Sequence, residues 1–128
     1  MTIRIVQFGI PRLRVEGLRV GTVRHLPRGV PKSRYAKDNW FDVWLPLLAP
    51  SAATVKLGRG TASEREWKGF ARRYEREMKA PEAARTIELL AALSHTANFS
   101  VGCYCADESR CHRSILRRLL KERGAKIP

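Results

Sequence analysis

The segment that most restricts the fold lies late in the chain: Phe99-Ser100-Val101-Gly102-Cys103-Tyr104-Cys105, an apolar run followed by a polar turn and a helix pattern. It reads as a buried strand. Such strands belong to sheets whose two faces are both covered, as in layered α/β proteins. The turn spans Ala106 to Arg110, and the helix spacing runs from about Cys111 to Arg123. Ile115, Leu116, Leu119 and Leu120 face the core, and Gly124 is the expected C-terminal cap.

The rest of the chain alternates in the same way. Ile3 to Phe8 reads as a first strand closed by Gly9 and Pro11, and Leu18 to Val23 as a second, with Gly21 a candidate bulge. A long basic loop from Arg24 to Lys37 follows, punctuated by Pro27, Gly29 and Pro31. Asp38 is placed to cap a short helix whose apolar stripe is Trp40, Val43, Trp44 and Leu47, cut short at Pro46. Ser63-x-x-Glu66 is a capping-box pattern, and Trp67, Phe70, Ala71, Tyr74 and Met78 behind it fall on one helical face. Pro81 suits the first turn of another helix, with Ala84, Ile87, Leu90, Ala91 and Ser94 on its inner side. No repeat or long linker divides residues 1–128. The expected fold is a single α/β domain with a small, mostly parallel sheet flanked by helices. The small number of strands leaves an α+β arrangement open.

Composition narrows the classes further. With 44% hydrophobic residues and 29% charged, the chain of 128 residues can build a core and is not a disordered basic tail. Its longest apolar run, Leu89 to Leu93, falls far short of the ~20 residues of a membrane span. The start of the chain lacks the apolar stretch of a secretory signal. The cysteines, Cys103, Cys105 and Cys111, make no disulfide framework, so a cytoplasmic location is expected. The net charge is +13, and it is uneven: residues 1–37 hold nine Lys/Arg and a single acid, Glu16. Arginine supplies 18 of the 25 basic residues, and its planar fork grips phosphate bidentately.

Chemistry concentrates in the turn from Cys103 to Ser114, which joins the end of a strand to the start of a helix. Ligands of open α/β sheets bind beyond the carboxyl ends of the strands, and a helix N-terminus favours an anion there. Arg110 and Arg113 lie in or beside the first helical turn, with Asp107 and Glu108 as internal counter-charges. Three readings compete. Cys105 or Cys111 is a functional thiol, with His112 as its proton carrier. Alternatively Cys103, Cys105, Cys111 and His112 hold zinc, although the spacing is not a standard one, so neither metal nor cofactor is expected. Or the cysteines are small apolar core residues, Cys103 above all.

A second cluster, Arg24-His25-Leu26-Pro27-Arg28-Gly29 with Lys32 beyond it, follows the second strand. If that strand is parallel to the cysteine strand, both turns emerge at one sheet edge. Arg24, His25, Arg28 and Lys32 then join Asp107, Arg110 and Arg113 as ligand-binding residues around Cys105, Cys111 and His112.

Several runs together resemble the YeaO-like proteins, a bacterial family built on domain of unknown function 488. They are Glu16-Gly17-Leu18-Arg19-Val20, Pro27-Arg28-Gly29-Val30-Pro31-Lys32, Asp38-x-Trp40, Ala49-Pro50-Ser51, Trp67-x-x-Phe70 and Arg73-Tyr74-x-x-Glu77. Cys105-Ala106-Asp107 and Cys111-His112-Arg113 are similar to a cysteine turn of another branch of that family. The chain departs from the family where Val23-Arg24-His25-Leu26 replaces its acidic residue and Trp before Pro-Arg-Gly. The resemblance implies an α/β domain and supplies no reaction. The expected partner is a phosphate-bearing ligand, a nucleotide or a nucleic acid, bound between the Pro-Arg-Gly loop and the Cys-His-Arg turn. Thiol catalysis could accompany it; the alternatives are a non-catalytic nucleic-acid-binding module and a thiol redox protein.

Overall fold

The computed structural model describes residues 1–58 and 63–128. Within them β4 (Phe99–Cys103) is buried along its whole length, and it holds an interior place in the sheet. On one side it pairs with β1 (Ile3–Gln7), in the register Ile3 to Phe99 through Gln7 to Cys103. On the other it pairs with β2 (Leu18–Gly21), in the register Leu18 to Phe99 through Gly21 to Gly102. The two-residue β3 (Val43–Trp44) lies outside β2, so the order is β1-β4-β2-β3 and every pairing is parallel. This is the α/β architecture that the alternating pattern implied.

Among the described residues four helices complete the layers: α1 (Ala52–Gly58), α2 (Glu64–Glu77), α3 (Pro81–Leu93) and α4 (His112–Glu122). The capping box forms, with the Ser63 hydroxyl oxygen accepting from the Glu66 N–H at 3.1 Å. Phe70 and Tyr74 of α2 are buried, as are Ile87, Leu90 and Ala91 of α3 and Ile115, Leu116 and Leu120 of α4. With Ile3, Leu48, Phe99 and Val101 they form one apolar cluster. A smaller cluster of Phe8, Val23, Phe41, Cys103 and Cys111 sits at the carboxyl end of the sheet.

Two expectations are corrected. The short helix over Trp40 to Leu47 does not form. The chain instead makes β3 and then a 3-10 turn at Pro46–Leu48. Val43 and Trp44 favour extended backbone, and the flanking Asp42 and Leu45 N–H groups donate to the Arg19 and Gly21 carbonyls, both at 2.9 Å. Proline has no N–H to continue a helix. Asp38 pairs with Arg34 at 3.1 Å rather than capping anything. Gly21 is not a bulge, because the register runs unbroken from Leu18 to Gly21, one residue against one. It is glycine because a Cβ there would meet the Phe41 ring at 2.7 Å.

A buried ion pair ties the loops to this sheet. Glu16 and Arg19 are each 1% exposed, and the Arg19 Nε and Nη2 both donate to the Glu16 carboxylate. The Arg19 Nη1 also donates to the carbonyls of Asn39 at 2.7 Å and Ile10 at 3.0 Å. Glu16 accepts from the Leu13 N–H at 3.1 Å and the Ser100 hydroxyl at 3.0 Å. Burial pushes the Glu16 carboxyl up, but the Arg19, Leu13 and Ser100 donors outweigh it and hold it below its ordinary value of 4.5.

Two outcomes follow for stability. Glu16→Gln strands the Arg19 charge in the interior and should cost about 3–5 kcal/mol in denaturant unfolding. A lowered folded-state pKa means that the carboxylate's contribution is complete above 4.5 and is lost as pH falls through the folded value. Acid unfolding of the wild type should therefore set in below that pH, and Glu16→Gln should flatten the transition.

Candidate functional site

Because β2 and β4 are parallel neighbours, the segments leaving them share one edge of the sheet. There they wall a cavity of about 320 Å³. Its lining includes Val23, Arg24 and His25 after β2, Pro50, Val55 and Gly58 at α1, and Phe70 of α2. The cysteine turn supplies Cys103, Tyr104, Cys105, Arg110, Cys111 and His112. Such a volume suits a small molecule rather than a polymer.

The cysteine turn folds back on itself. Cys103 ends β4, Asp107 caps a 3-10 turn at Glu108–Arg110, and Cys111 stands at the N-cap of α4. Cys103 and Cys111 are buried and Cys105 is exposed. The Cys103 and Cys105 sulfurs are 3.7 Å apart, and Cys111 Sγ lies 3.8 Å from His112 Nδ1. His112 is itself buried, with Nε2 at 2.7 Å from the Thr22 carbonyl. A carbonyl only accepts, so Nε2 carries the hydrogen, and Nδ1 is the ring nitrogen that faces the cysteines.

The three thiols do not titrate alike. Hydrogen bonds from Cys103 and Cys111, with the Arg113 charge, hold Cys105 well below the usual thiol range despite its partial burial. The same sharing, with Cys105 as acceptor, pushes Cys103 up. Cys111 is lowered, first by Cys103 and then by His112, against the opposing effects of Cys105 and burial.

Most of the arginines have protein partners. The Arg24 guanidinium donates to the carbonyls of Pro50 at 2.9 Å and Pro46 at 3.0 Å. Arg110 pairs with Glu64 at 2.5 Å and lies over the Trp67 ring. Arg113 is buried and donates to the Cys105 carbonyl at 2.6 Å, while its Nε has no partner among the described residues. His25 is exposed at the rim, and its carbonyl accepts from the Tyr104 hydroxyl at 2.9 Å. Arg28 and Lys32 are exposed and do not line the cavity; nor does Asp107, whose carboxylate is taken up by the Ser109 N–H and hydroxyl. Cys105, Cys111, His112, Arg24, His25 and Arg110 are therefore together, with Arg113 behind them.

Residues 3–124 match the family described as the active DUF488-N3 subclade. The chain belongs to this subclade. No curated protein and no solved structure matches it. The family match agrees with the resemblance carried by the Pro-Arg-Gly and Cys-His-Arg runs, and it spans every strand and helix of the fold.

Sequence reasoning missed the far wall of the cavity, because α1 gave no clear periodicity. Ser51 was the available signal: its oxygen accepts from the Thr54 N–H at 3.3 Å, as an N-cap does. Glu77 of α2 locks that turn, accepting from the Ser51 N–H at 2.9 Å and from the Thr54 hydroxyl at 2.7 Å.

The burial pattern makes a direct expectation. In the native protein a single thiol per chain, that of Cys105, should react quickly with a disulfide reagent, and all three should react after denaturation. Cys105→Ser should remove the fast phase. A fast phase that survived this substitution would place the reactive sulfur elsewhere.

Proposed function

We propose that this protein is an enzyme that acts on a small phosphate-bearing ligand, of the size of a nucleotide, with Cys105 as the attacking thiol. The observation that carries this reading is the position of Cys105. It is the exposed thiol of the cluster, and it lines the same cavity as His25 and Arg110. The apolar walls of Val23, Val55, Phe70 and Tyr104 suit a flat, weakly polar body. Arg110 and His25 line that cavity; in this reading they meet the anionic group, Arg110 by exchanging its Glu64 partner, and His25 moves a proton. Buried Arg113 fixes the Cys105 backbone by its hydrogen bond and sets a positive charge behind the thiol. The subclade is described as active, which agrees with a catalytic reading.

A small ligand is favoured over a nucleic-acid backbone because the cavity has the volume of a small molecule, and three cations of the N-terminal segment are engaged within the protein. Arg12 pairs with Asp42 at 2.7 Å, Arg34 pairs with Asp38, and Arg19 is buried. An extended polyanion needs several unpaired charges in line.

The test is protection of a defined thiol. Iodoacetamide should label Cys105 of the native protein, and a panel of nucleoside mono-, di- and triphosphates should contain at least one that slows labelling. Arg110→Gln together with His25→Gln should abolish that protection and leave the unprotected labelling rate unchanged within about twofold. Labelling of Cys105 that no phosphate compound slows would remove the ligand assignment. Equal protection by single-stranded DNA and RNA, falling steeply with salt, would replace it with the binding-module reading.

A further inference from the structure

The cluster has a second property that thiol chemistry alone leaves unexplained. Cys103 Sγ, Cys111 Sγ and a ring nitrogen of His112 all lie within 4.8 Å of one another, and all three residues are buried. The nitrogen is Nδ1, since Nε2 is committed to the Thr22 carbonyl. The contact recorded for Nδ1 is to a sulfur at 3.8 Å, longer and weaker than one to oxygen or nitrogen. We infer that Cys103, Cys111 and His112 bind a zinc ion, with the fourth coordination position turned toward the cavity.

Four observations carry this. The first is spacing. Zn–S bonds of about 2.3 Å and Zn–N bonds of about 2.05 Å set tetrahedral S–S edges near 3.8 Å and S–N edges near 3.6 Å. The Cys111 to His112 separation of 3.8 Å is already close to such an edge. The second is the tautomer. A metal-bound imidazole commonly donates its other N–H to a carbonyl or carboxylate, which fixes the ring and raises its basicity. The Nε2 contact to Thr22 does this, and Thr22 is itself fully buried, with its hydroxyl donating to the Gly102 carbonyl at 2.9 Å. The third is charge. Two thiolates and a neutral imidazole around a divalent cation form a neutral unit, which an interior accepts far more readily than isolated thiolates. The fourth is the rigidity of the frame. Cys103 ends a central strand, and Cys111 and His112 begin a helix packed against it, so the donors sit on regular elements rather than on the loop between them.

The spacing of these residues in the sequence hides the site. Adjacent ligands at 111 and 112 fit no familiar zinc pattern. They converge because Cys111 is extended, with φ −126° and ψ 150°, whereas His112 is already helical. Cys105 is left out of the set. Its sulfur is 3.7 Å from that of Cys103, beside the fourth position, which is left to an exchangeable ligand from the cavity. Three protein ligands with an exchangeable fourth position is the arrangement of catalytic rather than structural zinc. The inference rests on the proposed function only for the use of that fourth position; the metal site stands without it.

The test is made on the full chain produced with zinc and dialysed against a weak chelator. Elemental analysis should find one zinc per chain in the wild type and in Cys105→Ser, and background levels in Cys103→Ser, Cys111→Ser and His112→Ala. Because the buried substitutions could unfold the chain, a second measurement uses wild type alone. Cobalt replacement should give the visible d–d bands of a tetrahedral site with sulfur-to-cobalt charge transfer in the near ultraviolet. A wild-type chain that retains no zinc, or whose cobalt spectrum lacks thiolate charge transfer, would overturn the inference. Zinc lost in Cys105→Ser would overturn the exchangeable fourth position and make the site closed. Phosphate protection of Cys105, repeated on zinc-loaded and chelator-treated protein, separates the two readings. Zinc without protection removes the ligand assignment alone, and protection without zinc removes the metal alone.

Discussion

The Glu16–Arg19 pair is the contact on which the arrangement of this protein depends most. An arginine that is 1% exposed must spend all of its donors inside the protein or remain outside. Arg19 uses them on Glu16 and on the carbonyls of Ile10 and Asn39, which belong to two separate loops. Its backbone N–H donates to Asp42 at 2.8 Å, and Asp42 also holds Arg12. One residue of β2 thereby gathers the segment before it and the segment leading into β3. Glu16 reaches β4 through Ser100. Polar contacts of this kind fix which loop lies where, whereas the apolar cluster beneath them sets that the chain collapses at all.

The same network holds what the charge distribution alone leaves out. By charge, Glu16 stands out in the sequence as the lone acid among nine bases of residues 1–37. Its value lies in being buried against one of those bases, and burial is not written in composition. Arg12 and Arg34 have carboxylate partners from farther along the chain, Asp42 and Asp38, so part of the apparent positive field is cancelled locally. Arg24 is spent on carbonyls at the 3-10 turn before α1.

Legibility followed period and punctuation. The helices from Ser63, Pro81 and Cys111 were readable because an amphipathic stripe and a terminal signal coincide in each. β1, β2 and β4 were readable as short apolar runs, and the parallel pairing of β2 with β4 explains why Arg24 and His25 meet Cys105 and Cys111. Trp40 to Leu47 misled because two tryptophans four apart mimic a helical face; in the structure Trp40 packs edge-on against Tyr104, and Trp44 lies in an edge strand. The partner of His112 was invisible, since a backbone carbonyl leaves no trace in sequence. The meeting of Cys103 with Cys111 needed the fold itself.

The strand order also sets when this molecule can become a molecule. β4 lies between β1 and β2, yet it is made long after both, and its pairing joins Ile3 to Phe99 and Leu18 to Phe99. A ribosome that has released the first two strands has released two edges with nothing between them. Until the last strand arrives β1 has no native partner, and β2 has only β3. Sheet formation is therefore a late and long-range event, of the kind that folds slowly. The residues that close the sheet are also those that carry the thiols, so an incomplete chain is both unfolded and chemically empty. Assembly and competence arrive in one step.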